Sequence, residues 1–216
     1  MTFSELADSF DVLSLTVERY WVLTACLGLG LFLIHIFNLI SGRRLNYFGI
    51  IPRNIWGLPG VIFSPLLHQD FSHLFFNLFP LLILTNLVLI KGVVAYLWIT
   101  GLLILSSGFL TWLLGRRAIH IGASSLIMGY WGFLLMSLSG GLSITSLLTV
   151  FICIYYFGYF IFSILPQGAS GEEGSRSVSW EGHLFGLIAG ILLGAEWFID
   201  HGKILIAIVN YFYVIF

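Results

Sequence analysis

The stretch Trp180-Glu181-Gly182-His183-Leu184-Phe185-Gly186-Leu187-Ile188-Ala189-Gly190-Ile191-Leu192-Leu193-Gly194 decides how the rest of the chain is read. Four glycines, Gly182, Gly186, Gly190 and Gly194, recur every fourth residue in an otherwise apolar run. On a helix they form one smooth stripe, along which a second helix can approach closely, as helices do in membranes. His183 lies three residues before Gly186, about 60° from it around the helix axis, and so sits beside the stripe. An ionisable side chain on an apolar span is costly, and it marks either a functional position or a histidine satisfied by its neighbours.

The whole chain carries the same character. Of its 216 residues 59% are hydrophobic and only 9% charged, against roughly 25% charged in a soluble domain. Mean hydropathy is +1.02. So few charges do not cover a water-facing surface, which makes the bilayer the solvent. The length suits one compact bundle. A formal net charge of -1 points to no nucleic-acid partner. Cys26 and Cys153 both fall in apolar runs and read as small buried side chains rather than a disulfide or metal ligands.

A spanning helix needs about 20 mostly apolar residues. Six such runs occur near 21–41, 74–90, 93–114, 124–139, 142–165 and 182–199. The expected fold is therefore an all-α, polytopic bundle of six transmembrane helices over 21–199. An acidic N-terminal lead (1–20) precedes it, as a short surface helix or a flexible segment. An apolar tail (200–216) follows, with Ile204–Phe216 favoured as an interfacial helix. The turns at Lys91-Gly92 and Ser139–Leu142 are short enough to force antiparallel neighbours. Two loops are long. Residues 42–72 mix arginines and prolines with Trp56, Val61, Ile62 and Phe63, which suits a loop lying partly in the membrane surface. Residues 166–181 are rich in Gly and Ser and suit a flexible external loop or gate.

The chain's chemistry is narrowed by exclusion. A zinc peptidase would carry His-Glu-x-x-His on a helix, and the sequence has none. An aspartyl mechanism needs two facing carboxylates, but Asp8, Asp11, Asp70 and Asp200 all lie away from mid-span. Serine with histidine remains. Gly122-Ala123-Ser124 opens the fourth span and His183 the sixth. Even-numbered spans run in the same direction, so both side chains fall at similar depth near one membrane face. His73 and Asn77 open the second span at the same face, four residues apart and on one side of the helix. Both can donate hydrogen bonds to an oxyanion, as can the Ser124 N–H at its helix N-terminus. Each motif alone is ordinary capping or packing chemistry. Together they are harder to assign to packing.

In these residues the chain resembles the rhomboid family. The matching pieces are His68-x4-His73-x3-Asn77, Gly122-x-Ser124 and His183-x2-Gly186-x3-Gly190, in family order over roughly 50–195. The resemblance implies a six-helix core and an intramembrane serine endopeptidase. Ser124 would be the nucleophile, His183 the general base, and His73, Asn77 and the Ser124 amide the oxyanion donors. It also implies transmembrane protein substrates cut near a helix end, no cofactor or metal, and a bacterial cytoplasmic membrane. Glu181, about 200° from His183 around a helix, is poorly placed to orient the ring.

Three features depart from the family pattern. Ser125 stands where Gly is usual, and Met128 where an aromatic residue often packs on the histidine. The first loop has Arg53 and Trp56 but no Trp-Arg pair. The alternative is an inactive rhomboid-like protein that binds transmembrane segments. The family orientation, with catalytic ends outside, puts Arg43, Arg44, Arg53, Arg116, Arg117 and Arg176 outside, against the positive-inside rule. The family orientation is kept because loop 42–72 is long and partly embedded.

Overall fold

The computed structural model describes residues 3–136, 146–151 and 180–198. Its helices in the described residues are α1 (Phe3–Ile40), α2 (Gly60–Phe63), α3 (Phe71–Leu89), α4 (Val93–Leu114), α5 (Ser124–Leu135), α6 (146–151) and α7 (Trp180–Phe198). Among the described residues the only extended pairing is an isolated bridge between Ile50 and His120. The protein is an all-α membrane bundle. Helices α1, α3 and α4 are long and apolar enough to cross a bilayer; α5 and the Trp180–Ala195 part of α7 are shorter apolar helices. The turn at 139–142, most of the fifth span, the greater part of loop 166–181 and the tail 200–216 lie outside the described residues.

The structure differs from the sequence expectation at the N-terminus. The expected lead and the first span form one continuous helix of 38 residues. The reason is local: no proline occurs between Phe3 and Ile40, and no glycine before Gly28, so nothing breaks the helix where the acidic residues give way to apolar ones.

Helix α5 forms the centre. It is apolar on every side, and each residue from Leu126 to Leu134 is buried, as expected for a helix with no polar face. Helices α3, α4 and α7 pack around it. Tyr130 of α5 and Thr100 of α4 share a 2.6 Å hydrogen bond. In a bilayer such bonds and close backbone packing, rather than the hydrophobic effect, hold helices together.

Loop 42–66 is a chain of short helical turns, Arg44–Phe48, Ile55–Gly57, Gly60–Phe63 and Ser64–Leu66. It is stitched to the segment after α4. Ile50 and His120 exchange both backbone hydrogen bonds at 2.9 Å, and Arg53 N–H donates to the Trp112 carbonyl. The Trp112 indole N–H donates back to the Asn54 carbonyl. Arg53 Nη1 reaches the Leu113 and Gly115 carbonyls at 3.1 and 2.8 Å. The guanidinium thereby caps the C-terminus of α4, where carbonyls lack helical partners. Tyr47, Ile55 and Trp56 face outward, an aromatic and apolar rim suited to the membrane–water interface.

Candidate active site

Three helices begin at one end of the bundle. Helix α3 starts at a capped turn, in which the Asp70 carboxylate accepts from the His73 backbone N–H at 2.9 Å and from Ser72 Oγ at 2.6 Å. This fixes His73 in the first turn. Its Nδ1 faces the Gln69 N–H at 3.5 Å, a long contact that favours the tautomer carrying its proton on Nε2. One turn on, Asn77 is buried and donates from Nδ2 to the His73 carbonyl at 2.7 Å. Its second amide hydrogen is left for another acceptor.

The His73 ring rests on Gly122. A Cβ at Gly122 would lie 2.7 Å from both Cε1 and Nε2 of that ring. The residue also holds φ +119, a conformation that side chains resist. Its N–H donates to the Ser64 carbonyl at 2.9 Å. Glycine at 122 is therefore required twice, once for its backbone and once for the imidazole lying against it. Two residues later α5 begins at half-buried Ser124. The first N–H groups of a helix have no carbonyl inside it to bond to and face outward as donors.

Helix α7 meets α5 backbone to backbone. A Cβ on Gly186 would strike the Ser125 carbonyl, one on Gly190 the Gly129 carbonyl, and one on Gly194 the Phe133 carbonyl. The paired positions keep a constant offset of 61 in residue number, so the two helices run parallel and in register. Continued one turn toward the N-terminus, the same register sets His183 level with Gly122, where the His73 ring lies. The His73 and His183 rings are close enough to interact electrostatically. Gly182 is buried at the start of α7. Ser124 is half-buried and His183 buried; hydrogen bonds between a nucleophile and its base often tighten only when substrate is bound.

Two further histidines line this end. His68 is fully buried and meets His73 edge to face, with ring centroids 5.2 Å apart. Burial, with the His73 and His35 rings adding to it, holds the His68 pKa down to about 3, so this imidazole is neutral. His35 of α1 is buried and meets Phe71 edge to face at 5.2 Å. Sequence reasoning passed over His35, although a histidine inside the first apolar run was the available signal. Glu181 turns away from the His183 side of α7 and pairs with Arg116.

The Rhomboid domain model matches residues 52–198. The chain belongs to the rhomboid family. Uncharacterized proteins of Mycobacterium tuberculosis and Mycobacterium bovis are each 36% identical over 171 residues, 75% of this chain and 68% of theirs. One of Mycobacterium leprae is 32% identical over 170 residues, 75% of this chain and 65% of its own. The matched span takes in His68, His73, Asn77, Ser124 and His183, and His35 of α1 lies before it. Of the departures from the family pattern, Met128 is buried in α5 one turn below Ser124, and the Ser125 backbone abuts Gly186.

Proposed function

We propose that this rhomboid is an intramembrane serine endopeptidase, with Ser124 as nucleophile and His183 as general base. One observation carries the proposal. The glycine register of α7 on α5 sets His183 level with Gly122, against which His73 is pressed, two residues from Ser124. Three helix N-termini meet there, and their partial positive charges favour an oxyanion.

In the proposed reaction a substrate helix unwinds near its end, which frees a peptide bond from its helical hydrogen bonds. Ser124 Oγ attacks the carbonyl carbon while His183 takes its proton. The oxyanion accepts from His73 Nε2–H, Asn77 Nδ2–H and the Ser124 N–H. Collapse expels the amine with the proton from His183, and water then releases the acyl-enzyme by the same route. The substrates are transmembrane proteins, the setting is a bacterial cytoplasmic membrane with the catalytic end outward, and no cofactor takes part.

The test is cleavage of a model transmembrane substrate, with labelling by a fluorophosphonate. Ser124→Ala and His183→Ala are expected to abolish both while the protein still inserts. Labelling that survives Ser124→Ala and is lost in Ser125→Ala would transfer the nucleophile role. No labelling or cleavage in the wild type would favour the rhomboid-like binder of transmembrane segments, for which Ser125 and Met128 already speak.

A further inference from the structure

Glu181 is the second residue of α7 and is buried, with 4% of its surface exposed. Its Oε1 lies 3.1 Å from Arg116 Nε, and its Oε2 meets no hydrogen-bond partner among the described residues. Arg116 follows Gly115 just past the end of α4. Its carbonyl accepts from the Ala118 N–H at 2.8 Å and from His120 Nε2 at 3.0 Å. His120 is bound in both directions to Ile50. Arg116 thus belongs to the braced segment that ends at Gly122 and Ser124, whereas Glu181 belongs to the helix that carries His183.

A glycine stripe gives closeness but little grip, because it has no side chains to interdigitate and lets one helix rotate against another. A directional bond at the helix end supplies what the stripe lacks. Residues two apart project about 200° from one another around a helix. Holding the Glu181 carboxylate toward the α4 end therefore turns the His183 imidazole to the opposite side of α7. The Arg116 side chain stays 40% exposed while that of Glu181 is 5% exposed, so solvent screens part of the attraction and the pair adds little net stability; fixing one arrangement among several is the best-attested use of such a pair.

We infer that the Arg116–Glu181 ion pair is a positioning pair that sets the rotation of α7 and so aims His183 at the Ser124 end of α5. It deepens the protease proposal and rests on it for its kinetic consequence. Glu181→Gln is the informative variant, because it keeps the shape and hydrogen-bonding capacity and removes the charge. It is expected to lower kcat about 10- to 100-fold, the loss that misplacement by a fraction of an ångström to an ångström brings, with KM within about twofold. Arg116→Met should cost a similar factor, and the double variant no more than the worse single one. Arg116→Lys, which keeps the charge, should recover most of kcat.

A second measurement needs no activity. In 15N-histidine-labelled full-length protein in detergent, the His183 ring signals, assigned by their loss in His183→Gln, should shift or split in Glu181→Gln. Unchanged His183 signals would overturn the inference, whatever the enzyme does. So would wild-type kcat in Glu181→Gln alongside an inactive Ser124→Ala, and that outcome leaves the protease proposal standing. A wild-type protein without Ser124-dependent cleavage sinks the protease proposal instead, and the ring signals then decide the positioning role alone.

Discussion

Replacing Gly122 by alanine tests the fold and the chemistry at one atom. The new methyl group would sit 2.7 Å from two atoms of the His73 ring, whereas ordinary carbon contacts begin near 3.4 Å. The ring must retreat by about 0.7 Å, or the backbone must leave φ +119. The backbone route costs about 1–3 kcal/mol. The ring route moves the donor proposed for the oxyanion, and loss of about 2 kcal/mol of transition-state stabilisation lowers the rate about 30-fold. Cleavage of a transmembrane substrate in liposomes should therefore show kcat down about 30- to 100-fold with KM little changed. Gly101→Ala is the control, because a Cβ there meets nothing within 4 Å, and it should behave as wild type. A Gly122→Ala protein that cleaves within twofold of the wild-type rate would refute the contact between His73 and the Gly122 turn.

Two further outcomes follow from the same coordinates. In Gly190→Ala the added methyl would meet the Gly129 carbonyl group and lie 2.9 Å from the Phe133 nitrogen, backbone that has no rotamer to swing away. The helices must part, and unfolding in mixed detergent should register a loss of about 1–3 kcal/mol; an unchanged midpoint would mean that α7 does not seat on α5 as described. His68, with its pKa lowered to about 3 from 6.5, stays neutral in the folded chain where the unfolded chain takes up a proton. Stability is then full above pH 6.5 and falls as pH drops, by about 3 kcal/mol at pH 4. His68→Gln should flatten that slope, and parallel pH profiles for the two proteins would show that burying His68 does not set it.

Helices Phe71–Leu89 and Val93–Leu114 were legible because sparse charge and apolar run length act locally. Val93–Leu114 lies where the hydropathy put it, and the glycines that abut α5 were readable from their spacing. The bracing of loop 42–66 was not legible. Arg53 binds the carbonyls of Leu113 and Gly115, and a carbonyl is present at every residue, so nothing in the sequence marks which one is used. The pairing of Arg116 with Glu181 was hidden for a related reason. The pair joins two elements far apart in the chain, and from the sequence Glu181 could be placed only relative to His183. At the N-terminus a change of composition suggested a change of element, whereas helix continuity depends on breakers, and there are none.

The unbroken length of α1 has a mechanical consequence. Its 38 residues extend about 57 Å at 1.5 Å each, against a hydrocarbon core of about 30 Å. Confining all of it would need a tilt near 60°, well beyond the 0–40° seen for membrane helices. The rod therefore extends beyond the hydrocarbon, and its first turns carry Glu5, Asp8 and Asp11, while Leu13 and Tyr20 still pack against the core. Since His35 and Phe71 join α1 to the start of α3, a load on the acidic end of α1 and the packing around His73 are connected through one continuous helix.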